Sequence, residues 1–446
     1  MDRIPTQSTG RTLLSIRHSE TGTACRMTGR FFSGMISITE NPLKVKPNFI
    51  PDFFSWIFTV FIVDYKVSPK RSDRYRFSMI LQWVNREWNL GIESFRDRTI
   101  GTIDYQPRSL SMALPIIGIC PGDPAGIGPE ITVKALKQLL PEESFIPVIF
   151  TDRTVLESAF RITGISLDWA MWPCGGNPMP SHEPGRVYLA EVKGLPHPEW
   201  KMGKVQTECG IASVEYIRQA VDAAIRGEIQ ALVTGPIHKE AIKAAGISKP
   251  GHTELLAEFS GSDDPMTMFE VDRLRIFFLT RHVSLRRACE MVTRERVYHM
   301  ILKCRRALES IGIGDGILAV AGLNPHSGEH GLFGDEEERA IVPAIDQARR
   351  DHVSVIGPIS ADSVFHLARR DRYAAVLSLY HDQGHIAVKT LDFERTIALT
   401  LGLPFLRTSV DHGTAMDIAG RNLAGDLSMV CAIQAALRYA PVFKPF

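Results

Sequence analysis

From Met112 onward, short apolar runs alternate with stretches whose apolar residues recur every three or four positions. That alternation is the mark of an α/β protein. The runs predict strands at Pro115–Cys120, Pro147–Thr151, Ala231–Thr234, Leu274–Thr280, Ile317–Ala321 and Ala375–Leu379. The amphipathic stretches predict helices that include Pro129–Leu140, Ser213–Arg226, Arg294–Ser310 and Glu336–Arg350. Residues 1–111 differ. Aromatic and β-branched residues crowd there without a sustained period, until "MALPIIGICPGDPAGIGPE" opens abruptly with Met112, an apolar strand and a Gly/Pro turn. No internal repeat or low-complexity segment interrupts the chain.

Charge divides at the same place. Residues 1–111 carry 16 Lys and Arg against 10 Asp and Glu, and the remainder carries 35 against 40. The extension is therefore separated from an α/β region at 112–446, and three readings of it stand: a small domain, a targeting segment, or upstream sequence translated ahead of a true start at Met112. No charged segment followed by an apolar one opens the chain, which argues against a secretory signal. A total of 446 residues leaves room for two or three domains, and a net charge of +1 suggests neither nucleic acid nor an acidic membrane as partner. The longest apolar run, "FFSWIFTVFIV" at Phe53–Val63, is shorter than the roughly 18 residues of a membrane span. Seven scattered cysteines without C-x-x-C point to a reducing, cytoplasmic setting.

Three predicted strands run into histidine: "RIFFLTRH" at His282, "ILAVAGLNPH" at His326 and "AVLSLYH" at His381. Ligands of open α/β sheets gather at the carboxyl ends of strands. Three imidazoles delivered there could hold one divalent metal and leave positions open for a substrate oxygen. Asn324, Glu329 and His330 flank the second histidine, and Asp382 and Gln383 follow the third; such groups can orient ligands, while a solvated loop accounts equally for Glu329 and His330. His385 needs no role beyond packing or support. Gly126-x-Gly128 lacks the third glycine of a dinucleotide fingerprint and reads as a tight turn packing a helix on the sheet. "VTGPIHKEAI" puts His238 and Lys239 after a strand, and "KPGHTELLAEF" opens a helix with His252 and Thr253. Such a terminus suits an anion, and Lys389 and Arg407 would complete the site.

The segments "GDPAGIGPE", "TGPIHKEAI", "GHTE", "GLNPHSGE", "YHDQGH" and "RTSVDHGTA" together resemble the 4-hydroxythreonine-4-phosphate dehydrogenase family from about Met112 to Ala440. The resemblance implies an isopropylmalate-dehydrogenase-like α/β fold in two lobes around a mixed or parallel sheet. It implies a homodimer with its site at the lobe and subunit boundary, NAD or NADP, and a divalent metal such as zinc, magnesium or cobalt. By motif position His282, His326 and His381 are its metal ligands, and His252, Thr253, Lys389 and Arg407 its substrate contacts. "DHGTAMDIAG" is similar to the cofactor loop of β-decarboxylating dehydrogenases, which gives His412, Gly413, Thr414 and Asp417 to the nicotinamide cofactor. The implied reaction oxidises 4-phosphohydroxy-L-threonine to a 3-keto acid that loses CO2, a step of vitamin B6 synthesis. Lys239 and Asp382 both stand as its base.

One departure bears on the substrate. Where the family usually reads "VNITLGLP" this chain reads "IALTLGLP", with Ala398 at a substrate-contacting asparagine. A lost amide removes hydrogen bonds that discriminate substrates. D-threonate or D-erythronate 4-phosphate and aromatic cis-dihydrodiols are the alternative substrates. A metallohydrolase is a weaker alternative, because it leaves the cofactor loop and the anion contacts without a purpose.

Overall fold

In the computed structural model, residues 114–446 are described, except 143, 173–182, 198 and 250. The extension, the 53–63 run, Cys25 and Cys174 lie outside them. The described residues form one twelve-stranded mixed sheet with helices on both faces. Its strands are β1 (Ile116–Cys120), β2 (Ile146–Thr151), β3 (Trp169–Met171), β4 (Val187–Glu191), β5 (Ala231–Thr234), β6 (Met266–Val271), β7 (Leu274–Phe278), β8 (Leu318–Ala321), β9 (Val355–Ile359), β10 (Ala375–Ser378), β11 (Ile397–Leu401) and β12 (Leu406–Val410). The order is β3-β4-β2-β1-β5-β12-β11-β6-β7-β10-β8-β9. A parallel half ends at β12 and a second begins at β7, and antiparallel β11 and β6 join them.

The six expected strands are present within two residues of their expected bounds, because each is largely buried on both faces and mostly apolar, Arg275 of β7 being the one charged exception. Within β1, Ile117 and Ile119 face one core while Ile116 and Cys120 face another. The helices are α1 (Gly128–Leu139), α2 (Arg153–Thr163), α3 (Thr207–Ile225), α4 (Lys239–Ala244), α5 (His252–Ser260), α6 (Leu285–Glu290), α7 (Arg294–Ser310), α8 (Val342–Arg350), α9 (Ala361–Arg369), α10 (His381–Leu391) and α11 (Leu427–Tyr439). The predicted helix over 336–350 splits into a π-helical turn at Glu337–Ile341 and α8.

Residues of α1, α7, α8 and α11 fill one core. On the opposite face, α3 and α5 cover the first half of the sheet and α9 and α10 the second. Between these two groups lie β12, β11 and β6, which on that face carry a polar row of Arg407, Thr400 and Thr267 beside the apolar Ala398 and Phe269. Arg407 pairs in register with Thr400, and Thr400 with Thr267. This gap in the helical cover positions the site.

Candidate active site

The stretch Leu377–Lys389 departs from the sequence expectation. β10 stops at Ser378, and His381 opens α10 instead of ending a strand. The helical repeat puts His381, His385 and Lys389 on one face, four residues apart. His385 stacks on His381 with centroids 4.0 Å apart and lies against Phe269 and Phe278. Burial first, then the neighbouring His381 and Lys389, brings its pKa down to about 4, so its ring is neutral. α10 lies this close to the sheet because residue 384 is glycine. A Cβ there would sit 2.5 Å from the Phe278 ring and from Ser378 Oγ. Gly384→Ala is expected to cost about 1–3 kcal/mol by overpacking and to weaken metal binding about tenfold by displacing His381. Urea unfolding and metal titration check this, and unchanged affinity would refute it.

β7, β10 and β8 are adjacent parallel strands, so His282, His326 and His381 leave the same carboxyl edge of the sheet. Thr280 Oγ1 donates to the Leu379 carbonyl at 2.8 Å and ties the two strand tails together. His282 and His381 consequently face each other, with ring centroids 5.8 Å apart. Two imidazoles bound to one ion at about 2.1 Å can span up to roughly 6 Å between centroids. Asp382 Oδ1 lies 2.6 Å from His381 Nδ1, a contact that holds the proton there and leaves Nε2 for a metal. Burial first, then Arg281, lowers the pKa of His282, which favours the neutral ligand form. Gln383 spans the gap to the third strand, accepting from Leu379 N at 2.7 Å and donating to the Gly322 carbonyl at 2.8 Å.

His326 does not join them. Among the described residues no three His, Cys, Asp or Glu side chains are grouped to hold an ion, so the expected three-histidine cluster is not built within one chain. His326 is exposed, its ring 6.4 Å from Phe333. The backbone has positive φ at His326, Ser327, Gly328, Glu329, His330 and Gly331. The buried Glu337 carboxylate holds the root of this turn. Its Oε1 accepts from Leu323 N and Asn324 N at 2.7 and 2.8 Å, and its Oε2 accepts from Asn324 Nδ2 at 2.8 Å.

The gap in the helical cover holds a buried cation. Arg407 donates from Nε and Nη2 to Thr234 Oγ1 and from Nη1 to Thr400 Oγ1, and it forms no ion pair among the described residues. Burial lowers its pKa to about 9, so it stays charged at neutral pH. A buried guanidinium satisfied only by hydroxyls is poised for an anion. His252 opens α5 with its Nε2 buried and unpartnered, and burial, then Arg407, pushes its pKa well below the ordinary histidine range. Thr253 is the next residue of α5, and Lys239, which opens α4, is close enough to act on both His252 and His282. Lys389 is spoken for. Its ammonium lies 2.9 Å from Asp411 Oδ2 and 4.8 Å from the centre of the Phe393 ring. Ala398 packs in the apolar cluster of Phe269, Phe278 and Val388.

His412, Gly413, Thr414 and Asp417 occupy the loop after β12, against the turn before α1. Ile127 N donates to the Thr414 carbonyl at 3.0 Å, and a Cβ on Gly126 would lie 2.9 Å from Thr414 Cβ. Glu130 accepts from Gly420 N and Asn422 N and fastens the loop's far end. Gly413 has open space around it, while His412 and Asp417 are at least partly exposed. Three residues before Gly126, Asp123 is buried with Oδ1 accepting from Ala125 N and Oδ2 unpartnered. Burial raises its pKa to about 6 against smaller opposing effects of Ala125 N and His238. Gly413 thus offers open backbone and Asp123 an orphan carboxyl oxygen. Sequence reading passed over Asp123 and Glu337; the one signal for Asp123 was a carboxylate inside a Gly/Pro turn directly after a strand.

The family model described as "Pyridoxal phosphate biosynthetic protein PdxA" matches residues 143–436. The chain belongs to the PdxA family. Among its relatives is a Clostridium botulinum protein named "Putative D-threonate 4-phosphate dehydrogenase", 52% identical over 335 residues, which cover 74% of this chain and 98% of the relative. A Fusobacterium nucleatum protein of the same name is 50% identical over 330 residues, with the same coverage. Among solved structures, 4-hydroxythreonine-4-phosphate dehydrogenase from Klebsiella pneumoniae is 36% identical with a TM-score of 0.66, covering 73% of this chain and 99% of its own. A terephthalate 1,2-cis-dihydrodiol dehydrogenase from Burkholderia xenovorans is 30% identical with a TM-score of 0.53, covering 73% and 98%. As a PdxA-family member the chain is an oxidoreductase. No helix of the described residues is long and apolar enough to cross a membrane.

Proposed function

We propose that this protein oxidises the 3-hydroxyl of a four-carbon, 4-phosphorylated acid with NAD or NADP and a divalent metal, after which the 3-keto acid loses CO2. The carrying observation is the facing pair His282 and His381, with the tautomer of His381 set by Asp382, together with a buried Arg407 that has no carboxylate partner among the described residues. The family and the Klebsiella structure support 4-phosphohydroxy-L-threonine, the substrate of vitamin B6 synthesis. The relatives at 50–52% identity and the loss of an amide at Ala398 favour D-threonate 4-phosphate. Both carry the same hydroxyl, carboxylate and phosphate. The five cysteines among the described residues are unpaired, in keeping with work in the cytoplasm.

When bound, the metal polarises the hydroxyl as a Lewis acid and the nicotinamide accepts hydride. The chain does the rest. Arg407, His252 and Thr253 bind the substrate's anionic end and orient the reacting carbon. Lys389, already paired with Asp411, adds a point charge at the rim. Lys239 takes the hydroxyl proton, because Asp382 is committed to His381 Nδ1 and so orients a ligand. His412, Gly413, Thr414 and Asp417 hold the cofactor.

His326 completes the metal site from a second copy of the chain, in a homodimer whose sites are shared. Mixing tests this. His326→Ala and His381→Ala should each be inactive as homodimers. A randomly reassorted equal mixture should recover about a quarter of wild-type activity, since half the dimers then carry one intact site of two. A mixture that stays inactive although the subunits exchange would place all three ligands in one chain.

A further inference from the structure

Arg281 is a charged group inside the site to which the mechanism above gives no work. It directly precedes His282 and is the strongest neighbouring charge acting on that ring. Its Nη1 donates to Thr267 Oγ1 at 2.7 Å, and among the described residues it forms no ion pair. Thr267 is the register partner of Thr400, whose Oγ1 accepts from Arg407 Nη1 at 2.9 Å. Register partners on antiparallel strands lie about 5 Å apart, so two guanidiniums are fastened to neighbouring hydroxyls. Arg281 thus adjoins His282 and, through Thr267 and Thr400, is linked to the anchor of Arg407.

With the 3-hydroxyl at the histidine pair, the second carbon, bonded to the reacting one, lies beside His282 and so within reach of Arg281. The two candidate substrates differ there: one bears an ammonium, the other a neutral hydroxyl. An ammonium here would meet Arg281 and Lys239, with Glu254 the one carboxylate acting on His282. Residue 398, two positions from Thr400 on the same face of β11, offers only a methyl group in an apolar cluster. We infer that Arg281 is a specificity-determining residue that selects a 2-hydroxy acid 4-phosphate over the corresponding 2-ammonio acid. The inference rests on the function proposed above. It acts through fixed charge: a cation a few ångströms from an ammonium, in a partly desolvated site, disfavours it by about 10- to 100-fold or more in binding.

The test is binding of D-threonate 4-phosphate and 4-phosphohydroxy-L-threonine to the metal-loaded full chain without nicotinamide, by calorimetry, followed by kcat/KM for each. Wild type is expected to favour the hydroxy acid at least about tenfold in both measurements. Arg281→Gln, which keeps a donor for Thr267, should cut that preference at least about tenfold, mainly by improving the amino acid. Arg281→Lys should retain it, which separates charge from a merely structural role. Equal preference in wild type and Arg281→Gln, or a wild type that favours the amino acid, would overturn the inference. If wild type binds and oxidises neither compound, the functional reading itself fails.

Discussion

Glu337→Ala is expected to reduce turnover by at least about 100-fold although Glu337 belongs to no proposed ligand set. The reason is the turn that carries His326. Four of its non-glycine residues have positive φ, which at about 1–2 kcal/mol each stores roughly 4–8 kcal/mol. Such a conformation lasts only while its surroundings over-determine it. Here one buried carboxylate accepts from Leu323 N, Asn324 N and Asn324 Nδ2, while Glu336 holds the same amide at 2.7 Å. Hydrogen bonds to a charged acceptor contribute about 1.5–3 kcal/mol each, comparable with the stored strain. Without the carboxylate, two backbone N–H groups lose their acceptor and the turn can relax, carrying His326 away from the metal. Amide exchange at residues 323–331 should accelerate while exchange in β1 and β5 does not. Glu337→Gln should fall between, since an amide keeps one acceptor oxygen but turns a second donor toward Asn324. Turnover within threefold of wild type in the alanine variant would show that the turn needs no such restraint.

This dependence marks where sequence reading succeeds and where it stops. Strands buried on both faces announce themselves through uninterrupted apolar runs, and three histidines just beyond such runs were legible for the same reason. β11 and β12 were not, because the polar row that faces the site, Thr400 and Arg407, breaks their apolar character. α10 was hidden by Gly384, a poor helix former in isolation that is required by the approach to Phe278. Asp382 reads equally as base or support until His381 Nδ1 is found 2.6 Å away. The partners of Arg407 have no local signal at all: Thr234 lies 173 residues away in the chain. Burial without a counter-charge is a property of the fold, and it is what separates an anion site from a surface arginine.

Asp123→Asn is expected to raise stability at pH 8 by about 3 kcal/mol while lowering turnover. The Asp123 carboxyl titrates at about 6 in the folded protein, against an ordinary 3.8. The folded state therefore binds more protons than the unfolded state between those values. Stability from this group is fully present below about pH 4, declines as pH rises through 6, and stays low above it. The interval between the two values is worth about 3 kcal/mol. An amide cannot ionise, still accepts from Ala125 N, and removes that cost. Urea unfolding should thus give a difference that is large at pH 8 and shrinks toward pH 4; a difference independent of pH would exclude burial of charge as its source. Tolerance of an unpartnered oxygen in so costly a place has a reason if the cofactor loop, closing on Gly126 three residues away, brings the nicotinamide amide to it. The apparent KM for NAD or NADP should then rise in Asp123→Asn more than the KM for the phosphorylated acid, because the oxygen serves the ring and Arg407 serves the anion. A variant stabilised with both constants unchanged would leave the carboxyl a structural burden, and one that acidic pH alone relieves.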